Sequence, residues 1–165
     1  MNYISIYSQV QPKATIHGGT PYATTNVVRI PRGYSIDNID VETAKHELAH
    51  TVRHSLDGSM FHFLQDALRY WYMRQHTCST VSNYAYAFNE GWAEYWAGSC
   101  RRSLYGGSKS DFKIEGNVAN ALRELQSKCS STFRQMVQVL QDNRGKVHSF
   151  ASFNSLHYAK YKCKL

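Results

Sequence analysis

Two histidines four residues apart bracket a glutamate in the run His46-Glu47-Leu48-Ala49-His50. On a helix, residues four apart lie about 40° apart and one turn up, so both imidazoles face one side at a separation suited to a single ion. Glu47 then sits on the flank of that side. An HExxH helix of this kind binds zinc through its histidines and keeps the glutamate as a general base. A catalytic zinc takes three protein ligands and a water, so a third ligand must come from elsewhere in the chain. His54 continues the stripe, but the third-ligand position of the longer HExxHxxGxxH pattern falls on Leu56, which cannot bind a metal. His54 therefore reads as a surface or rim residue.

Downstream, Phe88-Asn89-Glu90-Gly91-Trp92-Ala93-Glu94-Tyr95 sets two carboxylates one helical turn apart. Together the two segments resemble the gluzincin group of zinc metallopeptidases, in which a glutamate on a second helix completes the HExxH site. The aminopeptidase N family carries a similar NEGFA run around that ligand, and the fungalysins carry GEGWSD. Matched residue by residue, the resemblance makes Glu90 the third ligand. It makes Glu94 the carboxylate that orients a metal-bound histidine, fixing its tautomer and raising its basicity. A weaker echo, Ile114-Glu115-Gly116-Asn117-Val118-Ala119-Asn120-Ala121-Leu122, is similar to the helix after the third ligand in fungalysins. Its Glu115 reads either as a cleft-lining group or as a helix-start carboxylate. The resemblance spans residues 26–125. It departs from the aminopeptidase N pattern in the 39 residues between His50 and Glu90, a longer interval, and the chain is shorter than most gluzincin catalytic units.

The resemblance implies a zinc metallopeptidase with one Zn2+ per chain, held by His46, His50 and Glu90. Glu47 would take a proton from the attacking water and pass it to the leaving amine. One more donor to the oxyanion is expected, for which gluzincins supply a Tyr or His. Tyr95, Tyr105, His148, His157 and Tyr158 are the candidates, and the sequence does not choose among them. The partner is a peptide or protein substrate, with endopeptidase action favoured over exopeptidase because no exopeptidase motif is visible. Such substrates commonly add to a strand edge, here residues 26–30, for which a central position in a sheet is the alternative. Two other functions compete: a zinc-binding recognition module without catalysis, which has no need of Glu47 as a base, and a basic nucleic-acid-binding protein.

Composition bounds these options. The chain has 165 residues, 42% hydrophobic and 19% charged, with a mean hydropathy of -0.50. One domain over 1–165 is expected, able to bury roughly two-thirds of its unfolded surface, so a metal would be functional more than structural. No run approaches the roughly 18 apolar residues of a membrane span, and the opening MNYISIYSQVQPK lacks the regions of a signal peptide. The 19 Lys and Arg against 12 Asp and Glu leave a net charge of +7, which raises an anionic partner. Only Arg101-Arg102 and Lys160, Lys162 and Lys164 form local groups, and no nucleic-acid motif accompanies them, which disfavours that partner. Cys78, Cys100, Cys129 and Cys163 allow three full pairings and read either as two disulfides or as four semi-buried thiols. Two disulfides would place the protein in a secreted or extracellular setting, with its leader removed.

These residues need elements to hold them. The first 35 residues are rich in Thr, Tyr, Val and Ile, with strand candidates near 2–9 and 25–30. From Asp40 the three prolines are past and the pattern is helical. The zinc helix is expected over 41–56, with Asp40 as N-cap, Gly58 past its end, and Val41, Ala44, Leu48, Val52 and Leu56 facing inward. The histidine face is then turned away from that stripe. Further helices are expected at 60–75, at 87–102 closed by Gly106-Gly107, and near 116–128, 132–143 and 149–160. The expected fold class is α+β and zincin-like: a small twisted sheet packed on the zinc helix over 1–58, then a helical part over 59–165.

Overall fold

The computed structural model describes residues 13–17, 22–24, 27–31, 40–58, 61, 65–66 and 76–165. Helix α1 (Val41–Asp57) begins where the Asp40 side chain accepts the Thr43 N–H at 2.7 Å and ends at Gly58, whose φ of 71° lets its N–H turn back to the His54 carbonyl. Both ends follow from the local chemistry of Asp and Gly. Ala49, Val52 and Leu56 point into the core, whereas Val41 is 66% exposed in the first turn, outside the apolar face expected for it. His54 is half-buried in the last turn.

Helix α2 (Tyr84–Ala97) starts earlier and stops earlier than the expected 87–102. Asn83 caps it, its Oδ1 accepting from the N–H groups of Ala85 and Tyr86, and Gly98 ends it in the left-handed region. The Gly106-Gly107 pair lies well beyond that end. Ala87, Phe88, Trp92 and Ala93 are fully buried, so α2 is covered nearly all round, as a helix that is apolar on most sides must be. Helices α3 (Glu115–Lys128), α4 (Phe133–Asp142) and α5 (Phe150–Tyr161) follow, within a residue of the expected bounds. Reciprocal capping boxes at Thr132 and Ser149 open the last two.

Helix α2 lies between α1 and α3. A Cβ on Gly91 would stand 2.6 Å from Val118 Cβ and 2.7 Å from the Glu115 carbonyl, so the bare backbone at Gly91 is what lets α3 approach. Val52, Phe88, Trp92, Val118, Leu122, Met136 and Phe153 form the common core. Arg53 is buried within it and joins three parts of the chain: its Nε donates to Asn89 Oδ1 at 3.1 Å, its Nη2 to the Val147 carbonyl at 2.9 Å, and Asp66 faces the same Nη2 at 3.5 Å. The cysteines form disulfides Cys78–Cys100 and Cys129–Cys163, one of the three pairings the sequence allows.

The α+β expectation is corrected by this layout. Strands β1 (Lys13–His17), β2 (Tyr22–Thr24) and β3 (Val27–Pro31) are short, with order β1-β3-β2; β1 pairs parallel and β2 antiparallel to β3. Every described residue of the hydrophobic core comes from helices and the turns between them, so the layers are helix on helix and the protein is mostly helical. The reason lies in stripe length: the β-branched segments give three to five residues each, too few to build a sheet layer, whereas the helices carry the long apolar faces. Strand β3 is paired on both sides, which removes the edge role expected for residues 26–30. The strand expected near 2–9 lies outside the described residues, and so does nearly all of the helix expected at 60–75.

Candidate metal centre

The histidine face of α1 is roofed by α2. His50 is 7%, Glu47 8% and Glu90 6% exposed. The Nε2 atoms of His46 and His50 stand 3.1 Å apart, and Glu90 Oε2 lies 3.3 Å from the first and 3.0 Å from the second. Ligand atoms at 2.0–2.1 Å around a tetrahedral zinc are about 3.3 Å from one another, so these three are spaced as ligands of one ion. Glu90 Oε2 is buried and, among the described residues, has no hydrogen-bond partner of acceptable geometry although three imidazole nitrogens face it. The three donor atoms lie close enough together to hold one metal ion.

Three consecutive residues of α2 set this up. Asn89 is anchored by Arg53 of α1, Glu90 is thereby turned toward the histidines, and Gly91 admits α3 on the opposite side. A second group, Cys78, Glu94 and Cys100, also has its donor atoms close together, but both sulfurs are committed to the disulfide.

Around the three ligand atoms stand further acids and an unexpected histidine. Glu94 Oε1 lies 3.3 Å from His46 Nδ1, and its Oε2 accepts from Ser99 Oγ. His76, which no motif marks in the sequence, places its Nδ1 3.0 and 3.2 Å from the two carboxylate oxygens of Glu115 and its Nε2 3.5 Å from Glu90 Oε2. Its ring is 6.0 Å from that of His46, and the Tyr86 ring meets it edge-on at 5.9 Å. Glu115, the first residue of α3, is 1% exposed. The signal for His76 was faint: it precedes Cys78 by two residues, and Glu115 lies in the weaker echo.

Electrostatics follow from this crowding. Burial alone would neutralise the His46 imidazole, but the close carboxylates of Glu90 and Glu94 overcome it and lift its pKa well above the ordinary value. Burial would likewise protonate Glu90, yet the charges of His50 and His76 and the close approach of the His46 and His50 nitrogens hold its carboxyl well below the usual range. Burial raises Glu47 against the pull of His50 and His46. His76 is raised to about 9, burial being outweighed by the charges of Glu90 and Glu115, and burial pushes Glu115 up to about 7 despite His76.

The five groups expected as oxyanion donors are engaged elsewhere. Tyr95 Oη donates to Gln126 Oε1 at 2.7 Å, and Tyr105 Oη accepts the Arg102 N–H at 2.7 Å. His148 binds Asp66 and the Gly145 carbonyl, and His157 is buried between Ser131 Oγ and the Cys163 carbonyl. Tyr158 is 47% exposed beneath Lys164. Compared with family models, curated proteins and solved structures, the chain matches none.

Proposed function

We propose that this protein is a zinc-dependent metallopeptidase that hydrolyses peptide bonds with one zinc ion per chain. One observation carries this: His46 Nε2, His50 Nε2 and Glu90 Oε2 converge at 3.0–3.3 Å on a helix whose intervening Glu47 is intact and buried beside them. The likeness of HExxH and NEGWAE to the gluzincins supports the same assignment. When bound, zinc supplies Lewis acidity, bringing the pKa of a water to about 7 and polarising a carbonyl.

The chain's own residues do the rest. His46, His50 and Glu90 hold the ion, and Glu94 accepts the Nδ1–H of His46 so that the Nε2 lone pair is presented to the metal. Glu47 takes a proton from the attacking water and hands it to the leaving amine. Its burial raises its pKa toward the working pH, which suits a group that must both accept and release a proton. A purely structural zinc site has no use for such a base.

The test is paired. Elemental analysis of dialysed protein should find about one zinc per chain in wild type and clearly less in Glu90→Ala. Cleavage of a peptide library should be abolished by a chelator and by Glu47→Gln, the latter retaining its zinc. Equal cleavage by wild type and Glu47→Gln would refute the mechanism. Libraries with blocked and free N-termini separate endopeptidase from aminopeptidase action.

A further inference from the structure

We infer that this protein carries a second binding surface, remote from the metal centre: a basic face around the Cys129–Cys163 disulfide that takes a sulfated polysaccharide. This inference does not rest on the peptidase assignment above.

Charge is divided unevenly along the chain. Residues 125–165 hold seven Lys and Arg against one acid, Asp142, whereas residues 1–124 hold twelve against eleven. All but one unit of the net charge of +7 therefore belongs to the last 41 residues. The seven cations are all exposed, and Asp142 is engaged by Lys160 at 2.6 Å. A pole this one-sided steers polyanions to itself and raises their local concentration.

The fold gathers three of these cations and fixes their backbone. Lys128 precedes Cys129, and Lys162 and Lys164 flank Cys163; with the two cysteine Cα atoms 5.8 Å apart, the lysine Cα atoms lie within about 13 Å of one another. The tail is folded back on α5: the Cys163 carbonyl accepts from His157 Nδ1 at 2.7 Å, and the Leu165 N–H donates to Asn154 Oδ1 at 3.0 Å. Lys162 ends α5 with a φ of 58°, its N–H on the Tyr158 carbonyl at 2.8 Å. Glycine is the usual residue at such a left-handed position, so a lysine there keeps a cation at a conformational cost. Lys128 closes α3 about 20 Å along that helix from Glu115, so a polymer held here lies away from the metal centre.

The chemistry of the pole selects among polyanions. Tyr158 is the only exposed large hydrophobic residue in 125–165, so no apolar wedge is present to enter a lipid surface. Single-stranded nucleic acid needs free aromatic faces for its bases, but Lys164 Nζ stands 5.3 Å over the Tyr158 ring. Helices α4 and α5 carry one cation each, Arg134 and Lys160, and not the cations on successive turns of a helix that lies in a nucleic-acid groove. The cations sit instead on helix ends and turns, where flexible lysines meet closely spaced sulfates. Two disulfides belong to an oxidising setting, in which sulfated polysaccharides are the fitting polyanion.

The experiment measures binding of the disulfide-intact chain to size-defined heparin oligosaccharides by calorimetry, from about 0.15 M salt upward. Wild type should bind, with affinity falling steeply as salt rises, because counterions leave the polymer on binding. The triple variant Lys128→Gln, Lys162→Gln, Lys164→Gln should bind about 100-fold more weakly. A second triple variant, Arg102→Gln, Lys109→Gln, Lys113→Gln, removes the same charge from the other part of the chain and should change binding by less than about threefold. Lys162→Gly alone should weaken binding about fivefold while holding or raising the melting temperature, since glycine suits the left-handed position. No binding by wild type, or full binding by the first triple variant, would overturn the inference. Equal loss in the two triple variants would overturn it by reducing the effect to net charge. Equal affinity for chemically desulfated polymer would overturn the role of sulfate. Tighter binding to single-stranded DNA of matched charge, or to vesicles rich in phosphatidylserine, would overturn the partner in favour of nucleic acid or membrane.

Discussion

His46 and His76 each carry a carboxylate on the nitrogen facing away from the ligand oxygen: Glu94 on the first, Glu115 on the second. In the metal-free protein this arrangement stores protons. His46 is held well above its ordinary pKa and His76 at about 9, so zinc must displace a proton from His46 to gain its Nε2. Zinc affinity is expected to rise with pH through the neutral range, with about one proton released per zinc, which calorimetry in buffers of different ionisation enthalpy reads directly. No proton release would contradict the electrostatics described. Stability has its own sign. A histidine raised from 6.5 to about 9 stabilises the fold fully below pH 6.5, and that contribution is lost as pH climbs through 9. Glu115, raised to about 7, loses its contribution between about 4.5 and 7, in the same direction. The metal-free melting temperature should therefore fall from pH 6.5 to 9, and His76→Ala should flatten part of that slope. An unchanged slope in the variant would show that His76 is not the group responsible.

At the scale of elements, α2 positions the site because it touches α1 on one side and α3 on the other. Gly91 is the point of closest approach, where an added methyl meets Val118 and the Glu115 carbonyl. Gly91→Ala is expected to cost about 1–3 kcal/mol by overpacking, seen in thermal melts, and to reduce cleavage beyond that by displacing the adjacent Glu90. Tolerance of the alanine in both measurements would mean the contact relaxes freely. The disulfides divide in the same way. Loop closure over 22 or 34 residues is worth about 3–4 kcal/mol in either case. Only Cys78–Cys100 also fixes the His76 segment beside Glu90, so replacing that pair with Ser should lower kcat at temperatures well below the melt, whereas replacing Cys129 and Cys163 should lower the melting temperature and leave kcat unchanged. Elements were legible where local chemistry sets them: Asp40 and Gly58 delimit α1, and the His46-to-His50 spacing places two ligands on one face. They were not legible where distant packing decides. Gly98 ends α2 although Gly106-Gly107 looks the stronger stop, the β-rich opening yields only short strands, and His76 meets Glu115 across 39 positions of sequence.

For the whole molecule, the balance between core and metal decides whether zinc is a tool or a scaffold. The site joins α1 to α2, but so do Val52, Phe88, Trp92 and the buried Arg53–Asn89 bond, none of which involves the ligands. A chain of this length buries enough apolar surface to fold without a staple. The metal-free protein is therefore expected to keep its far-ultraviolet circular dichroism in excess chelator and to melt cooperatively. Zinc held by the folded site as proposed, and more weakly by the unfolded chain, should add about 2.7 kcal/mol at a hundred times its Kd. For a domain of this size that raises the melting temperature on the order of 5–10 °C. A chelated protein without a cooperative melt would make the ion part of the core. It would also change the meaning of Glu90→Ala, whose loss of activity would then report unfolding and not a missing ligand.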